Sequence, residues 1–325
     1  MRQQEPIGGS EIELSPSPAA SRFSSVRFPR IQFPTIRTPA GRLATGLCLW
    51  LVASAGFCGE ERPAEKPRIA PPTAEAIARE RETAAVEAAE DEERKKKLTE
   101  LVEKLNEQIK ETPKQLALYS QRGDLRFFLG QFAAAVEDYD RMVELDPDQE
   151  GSHWRRGIAE FYAGQYDRAA HQFEIYHSFD NVDRENGIWR YLSQVKSIGR
   201  DKARQGLLKY QKDDREPFPD VYRMFSGDRT GEQVLDAIRK ADISDEERQK
   251  RLFYAELYVG LNEFVEGRTA TAREHLQAAR RNPWGRTARG GPGYMWQVAR
   301  LHADLLAKEK PAGKPAPESK AGSKP

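Results

Sequence analysis

Cysteine is nearly absent from this chain. Its two cysteines, Cys48 and Cys58, lie in one early segment, and the sequence beyond Cys58 has none. That excludes a disulfide framework and a thiolate metal site from the later part of the chain. An excess of one charge is missing too. Lys plus Arg number 52 and Asp plus Glu 51, which removes the electrostatic footprint expected of a nucleic-acid binder. Histidine is scarce: His153, His171, His177, His275 and His302 include no pair at the i, i+4 spacing of a helical zinc site. There is no G-x-S-x-G elbow, no phosphate loop and no dinucleotide fingerprint. Gly290-Gly291-Pro292-Gly293 is glycine-rich, but no strand pattern precedes it. Carboxylate pairs such as Asp138 with Asp140 and Glu246 with Glu247 are expected on solvated faces or at helix N-termini. These absences lead us to expect no catalytic residue, no metal and no cofactor.

What is present begins with an export pattern. Residues 1–42 are rich in Ser, Pro and Arg, and Arg22, Arg27, Arg30, Arg37 and Arg42 make the stretch basic. An apolar run follows from Leu43 to Phe57, shorter than the roughly 20 residues a membrane span needs. With Ala53-Ser54-Ala55 near the end of that run, residues 1–55 are expected to be a signal region cut after Ala55, and the mature chain to be periplasmic or held in the cell envelope. Cys58 offers a lipid-attachment alternative, but the bulky Phe57 stands where that processing wants a small residue. Membrane contact is therefore expected only through the N-terminal segment or a lipid on Cys58.

Residues 56–96 are expected to form a linker and a charged, partly helical segment. Pro63, Pro67, Pro71 and Pro72 interrupt its start. From Thr73 to Glu111 the chain is rich in Ala, Glu and Lys without Pro or Gly, which favours helix. Its first half has almost no apolar stripe, so a solvated helix is expected there. Its second half places Leu98, Leu101, Val102, Leu105 and Ile109 on one face, which should dock. Residues 309–325 have no large apolar residue and are expected to be a disordered Lys/Pro-rich tail.

Residues 97–308 carry a repeat. At a spacing of 34, Gly123 recurs as Gly157, Gly130 as Gly164, Phe132 as Tyr166, Ala135 as Ala169, Tyr139 as Phe173, and Pro113 as Pro147. This period, with small, Gly, aromatic, Ala, aromatic and Pro at these offsets, resembles the tetratricopeptide (TPR) repeat. The expected fold is all-α: a TPR-type solenoid of antiparallel helix pairs, an α-α superhelix. The glycines and alanines suit close backbone approach, Gly130 and Gly164 suit the end of a first helix, and Pro147 ends a second. A degenerate third unit is expected over Ile188–Tyr210 and a fourth hairpin over Glu247–Arg281. Between them a short helix should span Gly231–Lys240. Thr230 with Gln233 and Ser244 with Glu247 have the spacing of capping boxes. A last helix should run from about Tyr294 to Lys308.

The order of further marks resembles the bacterial NlpI-type TPR lipoproteins. These marks are Arg156-Gly157-Ile158-Ala159, Phe161-Tyr162-x-Gly164, Trp189-x-Tyr191-Leu192, Phe225-x-Gly227 and Phe253-Tyr254. The resemblance implies an exported, all-helical, dimerising adaptor that gathers other proteins, envelope peptidases and cell-wall hydrolases among them. Phe57, the stretch Pro283–Gly293 and the Lys/Pro tail depart from that family's pattern.

In such a stack the first helix of each pair lines the inner surface. The residues expected there, and so expected to bind a partner protein, are Gln121, Asp124, Phe128, Trp154, Arg155, Ile158, Tyr162 and Arg190. Trp189, beside Arg190, is expected to pack in the core. Arg and aromatic side chains together are typical recognition anchors, and Arg155 is expected to be reached by solvent. A second candidate is Arg280, Arg281, Trp284, Arg286 and Arg289, an Arg/Trp loop for an anionic polymer, although the favoured expectation is a solvated, mobile loop with Trp284 folded back on the stack. The leading expectation is an exported protein-binding scaffold, and the alternative a cell-wall or other anionic-polymer binder using residues 280–293.

Overall fold

The computed structural model describes residues 73–308, and every regular element in that span is helical. The expected signal region, Cys48, Cys58, the proline-rich linker up to Pro72 and the tail 309–325 lie outside the described residues. The chain opens with α1 (Ala74–Glu111), then α2 (Leu116–Phe128), α3 (Phe132–Leu145), α4 (Trp154–Tyr162) and α5 (Tyr166–Phe179). A 3-10 turn over Pro147–Ser152 joins α3 to α4. Then follow α6 (Arg184–Ile198), α7 (Arg200–Gln205), α8 (Phe218–Ser226), α9 (Gly231–Lys240), α10 (Asp245–Val265), α11 (Thr269–Arg281), α12 (Pro283–Thr287) and α13 (Gly290–Lys308).

Three hairpins share one geometry: α2–α3, α4–α5 and α10–α11. Each turns at a glycine in the left-handed region, Gly130, Gly164 and Gly267, with φ of 78°, 77° and 78°. At each turn the amide three residues past the helix returns to a carbonyl in its last turn: Gln131 to Arg126 at 2.9 Å, Gln165 to Glu160 at 2.9 Å, and Arg268 to Glu263 at 2.8 Å. This is the 6→1 bond that closes a Schellman end, where a side chain at positive φ would be strained. Each hairpin is also closed by a glycine on its first helix. A methyl group there would lie 2.6 Å from the Tyr139 ring for Gly123, 2.8 Å from the Phe173 ring for Gly157, and 2.7 Å from Leu276 for Gly260. In every case the facing residue stands sixteen positions on. The alanines behind these turns, Ala135, Ala169 and Ala272, have no exposed surface.

Polar side chains obey the same spacing. Arg122 donates to Asp138 and Arg156 donates to Gln172, sixteen residues apart in both hairpins. Asp138 was expected on a solvated face, and the structure corrects this. It is buried, and Arg122 and Arg126 hold it as an ion pair, because two guanidinium groups compensate a carboxylate cut off from water. Asp140 is tied to Arg156 and Arg168.

The unit between the second and last hairpins is irregular. α7 lasts only six residues, although Ala203 keeps its fully buried place. Tyr210 folds back so that its hydroxyl lies against Gly187. Thr230 and Gln233 form the complete capping box of α9. Ser244 accepts from the Glu247 amide, while the Glu247 carboxylate turns to Lys250 and Arg251.

Two ends of the fold differ from the sequence reading. α1 is one continuous helix, and its first half is held by charge where no apolar stripe exists. Glu87 pairs with Arg281, Glu90 with Arg286 and Asp91 with Arg280. α13 begins at Gly290, four residues before the expected start, because Pro292 falls in its first turn, where a missing amide costs nothing.

Candidate functional site

α2, α4, α6 and α10 turn their aromatic side chains toward a common interior, and α13 lies against them. Phe127 of α2 stacks on Tyr294 of α13 with ring centroids 5.0 Å apart. Phe128 and Trp154 meet the same tyrosine edge-on at 5.3 and 5.1 Å. Farther along, Tyr162 and Phe264 meet His302, at 5.6 and 4.3 Å. Trp189 closes the interior behind Phe161 and Tyr258. α13 is also fixed by a cap. The buried Arg300 donates to the carbonyl of Phe128, the last residue of α2, at 2.6 Å, where a cation also meets the negative end of the helix dipole.

The residues expected to form a partner groove therefore fall into separate environments. Asp124, Phe128, Trp154, Arg155 and Tyr162 are brought together, but around the chain's own α13. Arg155 reaches the buried Asp124 with a nitrogen–oxygen distance of 2.6 Å and also donates to Ser120. Solvent reaches Arg155, whose side chain is 22% exposed, but its guanidinium is already engaged in compensating a buried charge. Burial is the chief influence on Asp124 and pushes its carboxyl up, against the opposing pull of Arg155 and Tyr139. Ile158 is core, 1% exposed. Arg190 lies apart from the cluster and donates to the carbonyl of Gly206 at 2.7 Å. Gln121 is half-buried on α2, and Trp189 is buried.

The Arg/Trp segment is likewise engaged. Arg280 pairs with Asp91 and Asp304, Arg281 with Glu87, and Arg286 with Glu90. Trp284 packs on Phe253 and Tyr254 at 5.7 and 5.9 Å. Arg289 is exposed.

An opening that sequence reasoning missed remains at the far end of α13. It is a cavity of about 300 Å³ lined by Phe161, Tyr162, Tyr166, Phe264, His302, Leu305, Leu306 and Lys308. Tyr162 and His302 satisfy each other at 2.9 Å between the hydroxyl oxygen and Nδ1. Burial, with the Lys196 charge adding to it, pushes the His302 imidazole down to about 3, so it is neutral at ordinary pH. The Lys196 ammonium lies 5.1 Å from the Phe264 ring centroid and 5.7 Å from that of Tyr166. The lining comes from three separated stretches of chain, and no local spacing could have joined them.

Among the described residues there is no cluster of three or more His, Cys, Asp or Glu side chains able to hold a metal ion. No helix there is long and apolar enough to cross a membrane. No protein-family model matches the chain, and no curated protein matches it significantly.

Proposed function

We propose that this chain is a non-catalytic scaffold of the tetratricopeptide type, exported to the cell envelope, where it holds other proteins. The observation that carries this reading is the hairpin geometry. Three helix pairs repeat the same glycine turn, the same close contact from a glycine to a large side chain sixteen residues on and the same buried alanine. Stacked helix pairs of this kind make extended surfaces suited to binding other chains. The export pattern of residues 43–57 and the resemblance to envelope adaptors support the location and the class of partner, envelope peptidases among them. A homodimer belongs to the same reading.

The anionic-polymer alternative has less support, because three arginines of its loop already hold carboxylates of α1. A photo-crosslinking amino acid placed at Gln121, at the exposed Phe179 or at Arg289 tests both readings in an envelope extract. Discrete protein adducts at Gln121 or Phe179 are expected. Capture of cell-wall polymer alone, at Arg289, would replace the scaffold reading.

A further inference from the structure

The opening beside α13 has two unlike parts. Its walls are apolar: Phe161, Tyr162, Tyr166, Phe264, Leu305 and Leu306. Two of the polar atoms behind them, the Tyr162 hydroxyl and His302 Nδ1, are bonded to each other, which lowers the demand for a polar guest there. Leu305 at the mouth is 38% exposed. Such a combination, an apolar cavity with few polar groups at its edge, is the usual form of a small-molecule site. Its volume of about 300 Å³ is about twice that of a dry cavity known to hold benzene, which allows a body of about twelve carbons.

The edge is cationic. Lys196 hangs over the Tyr166 and Phe264 rings, and Lys308 lines the cavity itself. Neither ammonium has a carboxylate partner among the described residues, whereas the neighbouring Arg200 and Arg268 pair with Glu266 and Glu263. An anion arriving at Lys196 would therefore break no existing ion pair, and a cation would be repelled. Both lysines are exposed in the free protein, so an anion would add a charge-assisted hydrogen bond without first burying a charge.

We propose that this opening binds a small apolar monocarboxylate, with its hydrocarbon body against Phe161, Tyr162, Tyr166, Phe264 and Leu305 and its carboxylate on the Lys196 ammonium. This binding goes beyond the scaffold reading and does not depend on it.

Calorimetric titration of the full chain tests the assignment. The probes are dodecanoate below its micelle concentration, dodecyltrimethylammonium, and a pentapeptide ending in phenylalanine with a free carboxylate. One equivalent of dodecanoate should bind, and the cationic amphiphile should not saturate the protein. Lys196→Gln should weaken dodecanoate about tenfold, the scale of one charge-assisted hydrogen bond. Leu305→Trp should fill the mouth and abolish binding. Both positions are exposed, so both variants should keep the wild-type circular dichroism and melting temperature. Equal binding of the two amphiphiles, or wild-type affinity in both variants, overturns the assignment. Binding of the peptide in place of dodecanoate overturns it in favour of a chain terminus as ligand.

Discussion

Arg155 on α4 spans the first two helix pairs to reach Asp124 on α2, and Tyr139 donates to the same carboxylate at 2.7 Å from within the first pair. The guanidinium also lies over the Tyr139 ring. One buried carboxylate thus joins two repeat units through two kinds of donor.

Arg155→Ala leaves Asp124 buried without its cation. Urea denaturation should show a loss of about 3 kcal/mol, the scale for a buried pair deprived of one partner. The double variant Arg155→Met with Asp124→Leu should recover much of it. A midpoint unchanged by Arg155→Ala would mean that the pair carries no net stabilisation.

Gly157→Ala has two opposed effects. Alanine favours an exposed helix interior over glycine by about 1 kcal/mol, but here its methyl would sit 2.8 Å from the Phe173 ring. Overpacking of this kind costs about 1–3 kcal/mol, so net destabilisation is expected, and Phe173→Leu in the same chain should relieve it. A stabilised Gly157→Ala protein would show that the hairpin opens easily at this contact.

His302 gives a pH test. Its folded-state pKa of about 3 lies below the ordinary value of 6.5. The unfolded chain therefore binds the proton first as pH falls. Compared with His302→Gln, which cannot titrate, the wild type should lose stability from about pH 6.5 downward by up to about 1.4 kcal/mol per pH unit. Denaturation midpoints of both proteins at pH 7, 6, 5 and 4 measure this. Parallel curves would mean that the imidazole protonates in place.

Arg280 and Arg286 both anchor α1 but differ in depth. The Arg280 pair with Asp91 is mostly buried, and the Arg286 pair with Glu90 is largely exposed. Arg280→Ala should expose residues 73–96 to limited proteolysis at least several-fold faster. Arg286→Ala should shift stability by no more than about 1 kcal/mol. Equal cleavage rates in the two variants would show that α1 is held by its apolar second half alone.

The sequence made the hairpins legible because their determinants are local. A glycine turn, a small residue against a large side chain and a buried alanine all recur at fixed offsets, so even the distant α10–α11 pair could be placed from Gly260, Gly267 and Ala272. Capping residues fixed α9 at Gly231–Lys240 for the same reason. The docking of the first half of α1 was not legible. Glu87, Glu90 and Asp91 look like any solvated acidic run, and their partners lie almost two hundred residues further along. The candidate groove was half legible. Periodicity placed Trp154, Arg155 and Tyr162 on an inward face, but no spacing says that α13 will lie against that face. Lys196 gave no sign of a role, because its significance depends on Phe264 and His302 arriving from other helices.

The arginine that ends α2 has counterparts. Arg204 donates to Phe225 near the end of α8, Arg248 to Ile238 and Arg239 near the end of α9, and Arg273 to Leu306 in the last turn of α13. Each guanidinium fits the carbonyls of one particular helix, in one orientation, as a key fits its own lock. Apolar repeat interfaces are interchangeable in principle, and idealised arrays gain or lose units freely. This stack has forfeited that freedom. Excising or duplicating a helix pair would leave some arginines without their carbonyls and some helix ends bare, so divergence residue by residue costs this chain less than gaining or losing whole units.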